Sequence, residues 1–229
     1  ELIPEYAYLD QEARSRIDDQ RDVLARELDE IDTVDRDMAW TAKREALKLL
    51  YAIPRSAGRD AAYRAYLRRE GAGLDDFATW CALVEVHGPD WHTWPDGFRH
   101  PRSAQVENFR AANADAVDFH RWLQWVLDEQ LDSVQQAARR AGMGLGIVHD
   151  LAVGVHSAGA DSWILQDVFA QGISVGAPPD PFNQVGQDWQ QPPWRPDQLA
   201  GLAYAPFREV VATILRHAGG VRVDHVIGL

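Results

Sequence analysis

Two side chains near the end of the chain have the types and spacing of a catalytic pair: Arg222 and Asp224, in the segment GGVRVDHVIGL. Alternate side chains of a β-strand point to the same face, so these two are expected to lie side by side. An arginine beside a carboxylate favours its ionised form, which is ready to act as a nucleophile. Structural ion pairs use the same spacing and, on spacing alone, are the more frequent arrangement. A catalytic pair and a structural ion pair therefore both remain as interpretations.

A second carboxylate, Asp150, ends the apolar segment GIVHD in the same manner. Its position predicts either a hydrogen bond to a substrate or a helix or turn cap. His149 and His225 adjoin the two carboxylates, but strand alternation directs their side chains to the opposite face, where we expect packing histidines. A metal site from His149, Asp150 and His225 is the alternative, and it matches no known zinc motif. We therefore predict no metal and no cofactor.

A third group of residues with binding potential lies in the segment GAPPDPFNQVGQDWQQPPW. Its aromatic and amide side chains are Phe182, Trp189, Trp194, Asn183, Gln184, Gln187, Gln190 and Gln191. Aromatic faces bind the apolar face of a sugar ring and amides bind its hydroxyls, so the segment is expected to bind carbohydrate. The alternative for each tryptophan is that it anchors the loop to the core.

Helices and a short parallel sheet are the elements that must position these residues. Residues 1–142 show helical patterns and no strand pattern, and an apolar stripe at three- and four-residue spacing runs from Phe119 to Val134. Gly142 is expected to end that helix. Residues 172–198 are rich in glycine and proline, so regular structure is not expected over most of that length.

The second part of the chain predicts a βαβ unit. A strand near Gly144, the loop, a helical stripe from Phe207 to Leu215 and a strand after Gly220 follow one another. Both strands are apolar and rich in β-branched residues, as in a parallel sheet buried on both faces. Two parallel strands do not form a stable sheet alone, so we expect the chain to be a portion of a larger barrel.

Composition restricts the class of protein and its partners. With 229 residues, 46% hydrophobic and 25% charged, the chain is typical of a globular protein, and a complete eightfold α/β barrel needs roughly 250 residues. Cys81 is the single cysteine, which excludes an intramolecular disulfide and fits a cytoplasmic setting. A net charge of −12 repels phosphate backbones. We expect no binding to nucleic acid or membranes, and a homo-oligomer remains open.

Several segments, in order, resemble consecutive blocks of the amylomaltases, the 4-α-glucanotransferases of glycoside hydrolase family 77. These segments are FHRWLQWVLDEQL, GIVHDLAVGV with the following HSAGADSW, GAPPDPFNQVGQDW with PPW, and GGVRVDHVIGL. The resemblance implies an α/β fold that is part of a (β/α)8 TIM-type barrel with a large helical subdomain inserted before the strand-loop-helix-strand unit. Residues 1–142 would form the helical subdomain. Residues 143–229 would form part of the catalytic barrel, including a glucan-binding loop at 172–198 and the nucleophile strand at 220–226.

The resemblance also implies a reaction, the transfer of α-1,4-glucan segments between maltooligosaccharides by a retaining double displacement. Asp224 matches the family nucleophile, and Arg222 matches the arginine that keeps it charged. The expected substrate-binding residues are Asp150, Asp180, Gln187, Trp189 and His225. The acid/base glutamate belongs to a later strand beyond this chain, so we expect the chain alone to be inactive.

The chain departs from the family pattern at two positions of the loop. Gln190 stands where members usually carry Gly after the tryptophan, and Asn183 stands where Ser is common. Two other functions remain as alternatives to a glucanotransferase. One is an α-amylase-like glucan hydrolase, in which water replaces the acceptor sugar. The other is a non-catalytic glucan-binding module, which an arginine and a carboxylate on one strand face disfavour.

Overall fold

The structure is a computed structural model that describes residues 3–29 and 33–224. His225 and the remainder of the predicted nucleophile strand lie outside the described residues. The chain divides into two compact units, Glu1–Arg69 and Glu70–Leu229. Within the described ranges, no helix is both long and apolar enough to cross a membrane.

The first unit is helical. A 3₁₀ turn at Pro4–Tyr8 precedes the helices α1 (Gln11–Asp29) and α2 (Arg36–Tyr51), which pack against each other. Asp35 caps α2, because its carboxylate accepts a hydrogen bond from the Met38 N–H at 2.9 Å. The helical character predicted for this region is thus confirmed.

The remaining helices are α3 (Ala57–His87), α4 (Ala104–Ala112), α5 (Ala114–Arg140), α6 (Ala160–Ile164), α7 (Pro196–Gly201) and α8 (Ala205–Leu215). Helical geometry in α3 is interrupted at Gly71, whose φ of 58° is readily adopted only by glycine. The core of the second unit is largely aromatic and contains Leu83, Trp91, Trp94, Val106 and Trp163. Beside it the buried Asp76 is neutralised by Arg102 and Arg110 at 2.6 and 2.9 Å.

Helix α5 shows the predicted stripe and the predicted end. Phe119, Trp122 and Val126 are buried, as the stripe requires, whereas its last three members, Leu127, Leu131 and Val134, are exposed in the described structure. At the carboxyl end, the N–H groups of Gly142 and Met143 donate to the carbonyls of Arg139 and Ala138. This is a Schellman motif with Gly142 at φ 88°, so the prediction that Gly142 ends the helix is confirmed.

The predicted strand–helix–strand unit is present. Strands β1 (Val148–Leu151) and β4 (Gly220–Val223) pair in parallel, and α8 packs against both. The expectation that both strands are buried on each face is wrong for the described structure. Val148 and Val223 are 51% and 43% exposed, because this sheet has only two strands among the described residues and neither outer edge has a neighbour.

A hairpin lies within the segment for which little regular structure was expected. Strands β2 (Val175–Ala177) and β3 (Gln187–Gln191) pair in antiparallel register. Two glycines permit it: a Cβ at Gly176 would overlap the Gln187 carbonyl oxygen, and Gly186 has a φ of 74°. The strands are too short, and too rich in Gly and Gln, to produce a period-2 apolar pattern, so the sequence analysis did not predict the hairpin.

Candidate active site

Three charged side chains meet at the carboxyl ends of β1 and β4. The parallel register places Asp150 opposite Arg222, and Asp224 follows β4 directly. The Arg222 Nη1 atom donates to Asp150 Oδ1 at 3.0 Å, and its Nη2 atom donates to Asp224 Oδ2 at 2.6 Å. One guanidinium therefore bridges two carboxylates that come from different strands.

The two carboxylates stabilise the positive charge of Arg222. The hydrogen bond to Asp150 raises the pKa of Arg222 above its ordinary value, and the hydrogen bond to Asp224 adds to the effect. An arginine beside a carboxylate favours the ionised form that a nucleophile needs.

The accessibility of the group bears on the two interpretations of the Arg-x-Asp spacing. The Arg222, Asp150 and Asp224 side chains are 60%, 68% and 48% exposed. Exposed ion pairs contribute about 0–1 kcal/mol to stability, so a purely structural pair would achieve little here. The open arrangement instead leaves both carboxylates within reach of a ligand.

The two roles considered for Asp150 are also distinguished by its contacts. In the described structure its carboxylate accepts a hydrogen bond from Arg222 and from no backbone N–H, so Asp150 does not act as a cap. The neighbouring His149 points away from the carboxylates, with Nδ1 3.2 Å from the Ile214 carbonyl oxygen in α8. The packing role predicted for His149 is therefore confirmed, whereas the role of His225 stays a prediction. Within residues 3–29 and 33–224, no group of three His, Cys, Asp or Glu side chains is arranged to hold a metal ion.

The tryptophans of the loop segment take different positions. Trp194 is half-buried and packs against the core, with its ring 4.2 Å from the ring of the buried Phe169 and 6.4 Å from that of Phe207, so it is an anchor. Trp189 lies on β3, is half-buried, and donates its indole N–H to Gln187 Oε1 at 2.9 Å. This hydrogen bond orients the indole on the hairpin, outside the main aromatic cluster.

Asp180 shapes the tip of the hairpin loop. Its Oδ1 atom accepts the backbone N–H groups of Phe182 at 2.7 Å and Asn183 at 2.8 Å. The turn presents Phe182 fully to solvent. Asp180 is thus a turn-forming residue, and its expected contact with substrate stays a prediction.

Gln190 adopts a left-handed backbone conformation, with φ 55°. The usual occupant of such a conformation is Gly, which is the residue that Gln190 replaces relative to the family pattern. The Gln190 N–H donates to Asp188 Oδ1 at 2.8 Å, and the Ser174 hydroxyl donates to the same oxygen. The Ser174 hydrogen bond is the main cause of a lowered pKa of Asp188, and the Gln190 N–H adds to it.

The side chains of this part of the hairpin border a polar cavity of about 480 Å³. Its polar lining residues are His92, Ser157, Gln171, Ser174, Asp188 and Gln190. No role for Asp188 or Ser174 was predictable from the sequence, because their contact depends on the register of a hairpin that has no sequence signal.

Comparison with known proteins agrees with the geometry of the site. Paired carboxylates at the carboxyl ends of parallel strands are expected of a carbohydrate-active enzyme of the α/β class. The family described as 4-alpha-glucanotransferase, glycoside hydrolase family 77, matches residues 3–229. The chain belongs to this family.

Individual relatives agree with the family assignment. The chain is 61% identical over all 229 residues to a 4-alpha-glucanotransferase of Mycobacterium tuberculosis, of which it covers 31%. It is 30% identical over 198 residues to that of Thermus thermophilus, where the match covers 82% of this chain and 39% of the relative. The chain thus spans about a third of the length of the curated relatives it matches.

Solved structures show the same fold. The crystal structure of amylomaltase from Corynebacterium glutamicum superposes with a TM-score of 0.75 at 42% identity, over 99% of this chain and 30% of that one. Amylomaltase from Streptococcus agalactiae, in complex with acarbose, superposes with the same TM-score at 18% identity, over 84% of this chain and 40% of that one. The fold of this chain is therefore that of a portion of an amylomaltase.

Proposed function

We propose that the protein transfers α-1,4-glucan segments between maltooligosaccharides and retains the anomeric configuration. The observation that carries this proposal is the bridge that Arg222 forms between Asp150 and Asp224, in a chain of this family. The proposal includes the barrel organisation: residues 1–142 as a mainly helical insertion and residues 143–229 as part of a (β/α)8 barrel. The substrates are α-1,4-glucans in the cytoplasm, and no cofactor takes part.

In the proposed mechanism Asp224 is the nucleophile. One of its carboxylate oxygens attacks the anomeric carbon of the donor as the bond to the leaving O4 breaks, and a protonated carboxyl group elsewhere in the protein gives its proton to that O4. The covalent glycosyl ester on Asp224 is then attacked by the 4-hydroxyl of an acceptor glucan. The acceptor's proton returns to the same carboxyl group, so protons and bonds balance over the cycle.

Arg222 and Asp150 have supporting roles in this mechanism. The Nη2–H bond of Arg222 stabilises the charged form of Asp224 and fixes the position of its Oδ2 atom. Asp150 lies on the same face with free acceptor capacity on Oδ2, and can bind hydroxyl groups of the sugar at the cleavage point. The close spacing of Arg222 and the two carboxylates supports a reacting sugar at the carboxyl ends of the two strands.

The hairpin provides the contacts to the rest of the glucan. Trp189 offers an indole face, held in orientation by Gln187, for stacking on a glucose ring. The Gln187 amide retains its N–H₂ donors for a sugar hydroxyl, and Asp180 holds the loop tip in shape. The position of Trp189 on the hairpin strand β3, with its indole N–H bonded to Gln187 of the same strand, supports the stacking role.

The product distribution separates the proposed transferase from the two alternatives. The full-length protein is incubated with maltotriose, and the products and total reducing ends are measured with time. Transfer yields glucose and longer maltooligosaccharides while the number of reducing ends stays constant. A hydrolase raises that number, and a binding module leaves maltotriose unchanged; either result would remove the proposed function.

A further inference from the structure

Helix α5 contacts the segments that precede both strands of the candidate site. We call these segments the strand starts: residues 144–147, before β1, and residues 216–219, before β4. Each strand is four residues long, so the strand starts lie roughly 10–15 Å from the side chains at the strand ends, at about 3.3 Å per residue. A displacement at a strand start is therefore carried to the site.

The side-chain amide of Gln135 holds the first strand start. Its Oε1 atom accepts the Ile147 N–H at 2.7 Å, and its Nε2 atom donates to the Leu145 carbonyl oxygen at 3.2 Å. The amide thus pairs with this segment as the backbone of a neighbouring strand would. Gly146 lies between the two contacts with φ 76°, and a Cβ there would overlap the Gln135 amide.

A cluster of charged side chains holds the second strand start. His217 Nε2 lies 2.7 Å from Asp128 Oδ1 on α5, and Arg216 Nη1 lies 3.1 Å from the same oxygen. Arg216 also pairs with Glu70 at 2.9 Å. The four side chains are at most 26% exposed, so the contacts are poorly screened by solvent and hold their positions better than surface pairs.

The two strand starts also contact each other. The Gly219 N–H donates to the Ile147 carbonyl oxygen at 2.8 Å, and a Cβ at Gly219 would overlap the Leu145 carbonyl oxygen. Ile147 is therefore bonded on one side to Gln135 of α5 and on the other to the start of β4. The helix fixes both strands relative to each other before they reach the site.

We propose that Gln135 is a positioning residue for catalysis, which sets the geometry of Asp150, Arg222 and Asp224 through the strand starts. The inference rests on the proposed function for the meaning of that geometry. Loss of the amide removes its two hydrogen bonds to Leu145 and Ile147 and leaves this strand start tied to α5 through Arg139, whose Nη1 atom donates to the Gly144 carbonyl oxygen at 2.8 Å. We expect β1 then to shift relative to β4. A misplacement of about 1 Å at reacting groups can reduce a rate on the order of 100-fold.

The test compares three variants of the full-length protein. Gln135→Ala removes both hydrogen bonds, and Gln135→Glu keeps the acceptor for the Ile147 N–H but lacks the donor to Leu145. Gln136→Ala is the matched control, since Gln136 is the adjacent residue of α5, and its hydrogen bonds are to Asp132 and Arg140 of the same helix.

The donor is α-maltosyl fluoride, because fluoride leaves without a proton and the first step then reports on attack by Asp224 alone. The rate of that step is measured per active site, with the number of sites titrated from the fluoride burst. We expect Gln135→Ala to react roughly 10- to 100-fold more slowly with little change in donor KM, Gln135→Glu to be intermediate, and Gln136→Ala to match the wild type.

Two results would overturn the inference. The first is a rate per active site for Gln135→Ala that equals the rate for Gln136→Ala. The second is a loss of total activity that comes only from a smaller number of active sites in the fluoride burst, because that result indicates a role in stability. A wild-type protein that does not react with the donor contradicts the proposed function instead. In that case the crystal structure of Gln135→Ala tests the positioning role directly. If both contacts of Arg222 are retained the positioning role is wrong, and if they are lost it is supported.

Discussion

The carboxylates of Asp150 and Asp224 share one guanidinium, although they follow different strands of the sheet. Arg222 reaches both because the parallel register places Asp150 opposite it and strand alternation places Asp224 on its own face. Within the described residues the three side chains are 48–68% exposed, which leaves both carboxylates accessible to a ligand.

The first prediction concerns Asp224→Asn in the full-length protein. The amide preserves the size of the side chain but cannot form the glycosyl ester, so transfer is abolished while binding of maltooligosaccharides survives. Disproportionation of maltotriose and calorimetric binding measure the two quantities. More than about a tenth of wild-type transfer would remove Asp224 from the nucleophile role, since loss of a nucleophile costs far more than tenfold.

The second prediction concerns Arg222→Lys. Lysine keeps the positive charge but cannot donate from two fixed nitrogens to Asp150 and Asp224 at once. The value of kcat should fall on the order of 100-fold through misplacement of the carboxylates. The melting temperature should change much less than kcat, because lysine keeps a positive charge beside the two carboxylates. A large loss of stability with normal turnover would instead indicate a structural ion pair.

The third prediction separates two tryptophans of one segment. Trp189→Ala should weaken glucan use by about 1–3 kcal/mol through lost stacking and leave the melting temperature almost unchanged. Trp194→Ala should cost roughly 3–5 kcal/mol of folding free energy, because its ring packs on Phe169 and Phe207. Melting curves without sugar and transfer rates against maltotriose concentration test both variants. Equal loss of stability in the two would contradict the stacking role of Trp189.

The fourth prediction concerns the backbone strain at Gln190. Because its φ is 55°, Gln190→Gly should relieve about 1 kcal/mol of left-handed strain, partly offset by the greater flexibility of glycine in the unfolded chain. The control is Gln191→Gly, at a neighbouring β3 position outside the positive-φ region, which should destabilise by about 0.5–1 kcal/mol. Denaturant unfolding measures the change in the free energy of unfolding for each variant. A change of the same sign in both variants would contradict the prediction.

The fifth prediction concerns Cys81. Burial raises the pKa of its thiol to about 12, with a further contribution from Glu85. An unfolded thiol has a pKa of about 8.5, so the folded state retains the proton where the unfolded state loses it. This contribution to stability is complete below about pH 8.5 and is lost as the pH rises towards 12. Alkylation at pH 8 should be slow in the native protein and fast in denaturant; rapid native labelling would contradict the burial.

The elements whose signals are local could be predicted from the pattern of residues alone. The stripe of α5, the Gly142 end of that helix and the apolar strands around α8 all follow from side-chain spacing and glycine conformation. The pairing of Arg222 with Asp224 follows from the two-residue period of a strand. These properties depend on neighbours within a few residues, which the sequence contains.

Contacts between groups that are distant in the chain depend on how the elements pack, so they could not be predicted from the pattern of residues. The contact between Asp150 and Arg222 depends on the register of two strands, and the amide contact of Gln135 with residues 145–147 depends on where α5 packs. The hairpin that carries Trp189 has strands too short to show a period. Close approach of backbones, as at Gly176 and Gly219, leaves no trace in sequence beyond the glycine itself, because glycine is also used in turns, caps and loops.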